Sequence, residues 1–237
     1  MVRAFALTKL GDQATVATSG RPTILPPALP KATIQNGYQD IDADWGNILG
    51  LLHWAETQGE WESFLHLIQG LIQPHLGVLG FLDLRGYWSD ARRLLDKALT
   101  AATMLGRADL RLPLLVAAAG FAVRQSDNTA ASDYLNQAEP SYPPASIGQV
   151  SSIGTPFRAR LSQQTDPAQG LAWLAQAVAW LENAPVPLPE KDPWRGYLLS
   201  QQSTFYGMLG RYADCEQAAQ TSLTLFPLAN RCQIGGH

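Results

Sequence analysis

The chain has 237 residues, with apolar side chains at 46 %, charged ones at 16 % and a formal net charge of −3. That balance supplies no basic field, so it argues against nucleic acid or an anionic membrane as a bulk partner. No run reaches the ~18 apolar residues needed to span a bilayer. The opening MVRAFALTKLGDQA also lacks the apolar core of a secretory signal. Cys215 and Cys232 are therefore expected as reduced thiols in a cytoplasmic protein. Charge this far below the usual quarter or so has two readings. Either a missing domain or partner covers part of the surface, or the surface is rich in Gln, Ser and Thr.

Residues 1–40 stand apart from the rest. The stretch 18–33, TSGRPTILPPALPKAT, is too rich in proline to hold a helix. It reads as a tether draped on the first helices, or as the trailing end of a domain. Helical grammar begins at Asp44: Trp45, Ile48, Leu49, Leu52 and Ala55 share one face, and Gly59 ends the helix. Trp61, Phe64, Leu65, Ile68, Leu71 and Ile72 form the next face, closed by Pro74. The short loop between them makes the two helices antiparallel. A shorter helix over 75–84 pairs with one over 89–105, after a stop at Gly86.

A third hairpin joins 112–124 to 129–139 through Ser126, Asp127 and Asn128, which supply capping oxygens. The loop 141–146, SYPPAS, breaks the chain. Thr155-Pro156 marks the next helix start, followed by Phe157 and Leu161. Asp166-Pro167 then opens the face Leu171, Leu174, Val178 and Leu181. Asp192-Pro193 repeats that device ahead of Trp194, Tyr197, Leu198, Phe205 and Leu209. A last helix lies within 210–227. The expected organisation is an N-terminal segment over 1–40, a helical repeat domain over 41–228 and a frayed tail over 229–237.

Aligned on one another, the second helices show a register. A small residue falls at Ala91, Ala131, Gly170 and Cys215, a larger apolar one four later at Leu95, Leu135 and Leu174, and a second small one seven later at Ala98, Ala138, Ala177 and Ser222. Ala219 departs from the pattern. The spacings exceed the ~34 residues of the tetratricopeptide norm. Small residues set the close approach of stacked hairpins, because a lone hairpin leaves one face uncovered. The fold class expected is all-α, a tetratricopeptide-like α-solenoid of about five helical hairpins; the alternative is an irregular helical bundle.

The run 43–110 resembles a helical segment of bacterial STAND-type NTPases, the NB-ARC-containing regulators and sensors. There an acidic-x-x-Asn segment leads into an apolar helix with a Trp, matched by Asp44, Asn47 and Trp54. An R-G-aromatic segment follows, matched by Arg85, Gly86, Tyr87, Arg92, Leu95, Ala98 and Leu99. The resemblance covers under a third of the chain. It implies a superhelical sensor or scaffold arm that binds a ligand protein or restrains its own NTPase. The G-x-x-x-x-G-K-[ST] phosphate loop is absent, so ATP chemistry by that route is not expected.

No catalytic residue, cofactor site or metal site is expected. His53, His66, His75 and His237 form no H-x-x-x-H pattern, although His53 and Glu56 share a helix face. No G-x-S-x-G elbow is present. The expected partner is a protein or peptide, with no nucleic acid and no membrane. In a tetratricopeptide-like stack the first helices line the groove, which nominates Asp83, Arg124, Gln163, Gln201 and Thr204. Arg124 has Gly120 rather than a carboxylate four residues before it, which directs its donors toward a ligand carboxylate or carbonyl. Trp54 and Trp180 fall off the apolar stripes and are the aromatic candidates, whereas Trp45, Trp61 and Trp88 are assigned to the core. Arg85, Arg92, Arg93, Lys97, Arg107 and Arg111, interleaved with Asp83, Asp90, Asp96 and Asp109, read as a solvated face with local pairing. Other functions compatible with the sequence are a peptide or small-ligand receptor of regulatory tetratricopeptide type, and a structural subunit of an enzyme complex.

Overall fold

Among the described residues the apolar spacing resolves into helices. A computed structural model describes residues 40–72, 80–138, 147–183 and 191–225. Among these residues the regular elements are helices and no strand occurs: α1 Trp45–Thr57, α2 Trp61–Leu71, α3 Phe81–Leu84, α4 Trp88–Met104, α5 Ala108–Arg124, α6 Asn128–Ala138, α7 Ile147–Ser162, α8 Pro167–Asn183, α9 Lys191–Met208 and α10 Tyr212–Leu225. The expected N-terminal segment up to residue 39, the first part of the helix over 75–84, the loop 141–146 and the tail 229–237 lie outside the described residues.

The helices end by one recurring device. After α1, Gly59 turns left-handed at φ 71°, and the Glu60 N–H donates back to the Ala55 carbonyl at 2.8 Å. This is the Schellman closure, which satisfies carbonyls the helix leaves open. It recurs where Tyr87 N–H bonds Leu82 and where Arg107 N–H bonds Ala102. After α5 a serine occupies the left-handed position, Ser126 at φ 60°, and Asp127 N–H bonds the Ala122 carbonyl. Asp127 then caps α6, its Oδ1 accepting from Ala130 N–H at 3.1 Å. Asp166 does the same for α8 through Gln169 N–H at 3.0 Å.

Three helix starts differ from the sequence expectation. The helix expected from Thr155-Pro156 begins instead at Ile147, which puts Pro156 inside α7; α5 likewise begins at Ala108 and carries Pro113 inside. An internal proline removes one backbone donor and crowds the preceding turn. Around Pro156, burial of Phe157 and Ala159 offsets that cost. Lys191 precedes Asp192-Pro193 in α9, so that pair sits within the first turn rather than ahead of it.

The described residues divide into two compact units, 40–72 with 80–110, and 111–225, the boundary falling inside α5. In the first, α1 packs on α2, α2 on α4 and α3 on α4. Phe64, Leu65, Ile68, Leu71, Phe81, Leu82 and Leu95 are among its fully enclosed large side chains. In the second, α6 packs on α7, α7 on α8, α8 on α9 and α9 on α10, around Phe121, Leu174, Leu198 and Phe205.

Within each unit the small-residue register is buried. Ala91, Leu95 and Ala98 on α4 are enclosed, as are Ala131, Leu135 and Ala138 on α6, and Gly170, Leu174 and Ala177 on α8. Gly170 shows why the first position stays small. A β-carbon there would collide with Ser162 Oγ and lie 2.5 Å from Phe205 Cε1, so α8 meets both the end of α7 and the body of α9 at this point. On α10 the pattern weakens, with Cys215 and Ala219 half-buried, but Ser222 is buried and its hydroxyl donates to the Gly196 carbonyl of α9 at 2.7 Å.

Candidate interaction surface

In the first unit the R-G-aromatic segment meets the start of α1 and the turn before it in an aromatic and ionic cluster. Tyr87 stacks on Trp45 with centroids 4.8 Å apart, and Phe81 lies 5.6 Å from Trp45 and 5.8 Å from Tyr87. The Tyr87 hydroxyl donates to Asp42 Oδ1 at 3.0 Å, and the Arg85 guanidinium pairs with Asp42 Oδ2. That hydrogen bond to Asp42 raises the Tyr87 pKa above the ordinary tyrosine value. The acceptor is thus Asp42, not the Asp44 of the acidic-x-x-Asn match. Asp42 had no signal in apolar spacing, because it precedes the first amphipathic helix.

The basic residues of α4 and its flanks do more than pair locally. Local pairs exist, Arg93 with Asp90 and Arg107 with Asp109. Arg107 also reaches Glu62 of α2 at 2.9 Å, and Lys97 reaches Glu56 of α1 at 2.5 Å. Lys97 holds Glu56 below the usual carboxylate range, and Arg107 does the same to Asp109. His53 Nδ1 stands 3.8 Å from that same Glu56 carboxylate. Among the described residues no group of three or more His, Cys, Asp or Glu is placed to hold a metal ion.

The nominated contact residues divide between the units. Asp83 and Trp54 belong to the first, and Arg124, Gln163, Trp180, Gln201 and Thr204 to the second. Arg124 is half-buried and engaged by an interaction within the chain, so its donors are not all left for a ligand. A carboxylate four residues earlier would pair only within one helix, whereas a packed arginine finds partners on any neighbouring segment. Asp83 is likewise half-buried and engaged, and its carbonyl accepts from Trp88 Nε1 at 3.3 Å. Trp54 is 40 % exposed, while Trp180 is half-buried on α8. Of the three tryptophans assigned to the core, Trp45 is buried and Trp61 and Trp88 are half-buried.

Gln201 and Thr204 do share a surface. With Tyr197 and Met208 they occupy one face of α9 at four-, three- and four-residue steps, graded from half-buried to exposed. From Gly196 to Met208 this helix carries no charge. Ser200, at the edge of this face, donates its hydroxyl to the Tyr197 carbonyl at 2.7 Å, so its oxygen remains as an acceptor there. Gln163 follows the end of α7, half-buried. Beyond the expected set, Met208 and Tyr212 are exposed on either side of the α9–α10 turn, where Arg211 lies 4.7 Å over the Tyr206 ring.

Among the described residues, no helix is long and apolar enough to cross a membrane. Compared with protein-family models, curated proteins and solved structures, the chain matches none of them.

Proposed function

We infer that the chain is a non-catalytic protein-interaction module built as a tetratricopeptide-like α-solenoid, the sensor or scaffold arm of a STAND-like signalling system. The observation that carries this reading is the small–large–small register, enclosed at the same three positions of α4, α6 and α8. Equivalent burial at equivalent positions is what stacked hairpins require, and stacking of this kind creates extended binding surfaces. The uncharged face of α9 suits an extended peptide, whose backbone amides and carbonyls pair with Gln and hydroxyl groups without desolvating a charge. Its exposed Met208 and half-buried Tyr197 supply adaptable apolar contact.

The test is affinity capture on the purified chain followed by cross-linking and mass spectrometry. The expected result is a protein partner cross-linked to residues 197–208, with no ATP binding by calorimetry on the isolated chain. Cross-links confined to other helices, or saturable ATP binding, overturn the reading.

A further inference from the structure

The last described helix keeps in solvent a face that earlier helices bury. Aligned on the small-residue register, Tyr212, Glu216, Ala219 and Leu223 of α10 stand where α8 carries Pro167, Leu171, Leu174 and Val178, and where α4 carries Trp88, Arg92, Leu95 and Leu99. On α4 and α8 every one of these residues is buried or half-buried. On α10 Tyr212 is 75 % exposed and Leu223 54 %, with Glu216 exposed and Ala219 half-buried. Packing explains the difference: α8 lies against both α7 and α9, whereas α10 lies against α9 and no helix follows it among the described residues. A terminal repeat ordinarily shows a polar outer face. Here two large apolar side chains stand on one stripe, at four-, three- and four-residue steps through Glu216 and Ala219.

We propose that this face is a homodimer contact, across which a second copy of the chain lays its own α10 antiparallel. The spacing selects that occupant. Steps of four, three and four residues read the same from either end. A two-fold axis between Glu216 and Ala219 therefore sets Tyr212 against Leu223 of the second copy, and Glu216 against its Ala219. Small Ala219 near the axis lets the backbones approach, and the large side chains fill the space where two crossing helices diverge. Charge selects the antiparallel direction. Asp214 and Glu216 are the only charged residues of α10, both in its first half, and residues 217–225 carry none. A parallel copy sets Glu216 against Glu216, whereas an antiparallel one sets each acidic half against an uncharged half. Both carboxylates also have partners within the chain: Glu216 Oε1 accepts from Gln220 Nε2 at 3.0 Å, and Asp214 pairs with Arg211 at 2.7 Å. With 14 residues the helix is about 21 Å long, so the contact belongs to the small, reversible class, below about 1,200 Å². It uses α10 alone and does not depend on a peptide seating on α9.

Sedimentation velocity on the full chain, from low micromolar to several hundred micromolar, tests this contact. A monomer–dimer equilibrium is expected. Tyr212→Lys and Leu223→Glu are each expected to raise the dimer dissociation constant at least about tenfold, because each sets a charge against an apolar side chain. The two positions lie about 16 Å apart along one helix, too far to pair within a chain. Carried together, however, the substitutions place the new amine against the new carboxylate of the second copy at both ends. The double variant is therefore expected to dimerise within a few-fold of wild type. A wild-type chain that stays monomeric throughout, or a dimer that both single variants leave intact, overturns the proposal. Loss in the single variants without recovery in the double one overturns the antiparallel pairing and the proposal with it. Growth beyond a dimer does the same, since a two-fold contact closes on itself. Circular dichroism melts of each variant are expected to match wild type; a variant that unfolds overturns the reading of this face as open surface.

Discussion

The Tyr87 ring lies on the Trp45 ring at 4.8 Å, with the two planes 18° from parallel, and its hydroxyl reaches back to Asp42. One side chain thus joins the start of α4 to both the first buried residue of α1 and the turn before it. The R-G-aromatic motif is explained by this: Gly86 turns the chain left-handed, and Arg85 and Tyr87 then converge on one carboxylate.

Tyr87→Phe keeps the stack and loses the hydrogen bond to a carboxylate that water still reaches, so it should shift the urea midpoint slightly. Tyr87→Ala removes the ring as well and should shift it several times further, because aromatic contact adds to area burial. Equal shifts would place the stabilisation in the hydroxyl. Tyr87 keeps its proton above the ordinary tyrosine range. The hydrogen bond therefore contributes fully below that range and is lost as pH rises through the raised value.

Gly170 is the sharpest packing test. Alanine there gains helix propensity, about 1 kcal/mol over glycine, yet its methyl collides with Ser162 Oγ and Phe205. Overpacking costs about 1–3 kcal/mol, so Gly170→Ala should lower stability or at best break even. Adding Phe205→Leu should recover part of the loss, because the smaller side chain makes room for the methyl. The double mutant should then be more stable than the sum of the single changes predicts, by thermal or urea unfolding. Strict additivity would mean that Ser162 alone yields.

Acid should loosen the α1–α4 contact before the core. Lys97 lowers the pKa of Glu56, so this pair stabilises the fold above the ordinary carboxylate range and is lost as pH falls through the lowered value. Arg107 and Asp109 act in the same direction. Glu56→Gln should flatten the acid limb of a urea-midpoint profile taken from neutral pH to about pH 3, with a neutral-pH cost of at most about 1 kcal/mol for so exposed a pair. High salt should shrink the difference. A profile unchanged by the substitution would remove this pair from the acid response.

The helices were legible because apolar residues at three- and four-residue steps name a face without knowing what covers it. Ala91, Ala131 and Gly170 were legible as close-approach sites because only a small residue tolerates a neighbouring helix there. What escaped were relations between segments. Lys97 reads as solvated on its own helix but meets Glu56, 41 residues earlier. Asp42 sits ahead of any amphipathic pattern, and Arg124 is engaged although its own helix offers no carboxylate one turn back. Pro156 reads as a start because local chemistry favours one, while burial of Phe157 and Ala159 just after it offsets the cost of a proline inside α7.

The last prediction separates holding the fold from holding a partner. Arg124 is half-buried and engaged within the chain, so Arg124→Ala should destabilise the fold by about 0.5–3 kcal/mol as that interaction and the packing of the arginine stem are lost. For a domain of this size each kcal/mol lowers the melting temperature by about 2–4 °C. Thr204 is exposed, and its hydroxyl makes only a 3.5 Å contact to the Ser200 carbonyl. Thr204→Lys should therefore leave the melting temperature within error, since surface changes usually stay inside about 0.5 kcal/mol. On an uncharged peptide-binding face, however, a lysine must be desolvated when the partner seats, and the captured partner should dissociate at least about tenfold faster. Gln201→Lys, one turn earlier and half-buried, should weaken capture further. If both lysine variants fold normally and hold the partner at full strength, the α9 face is not the binding surface.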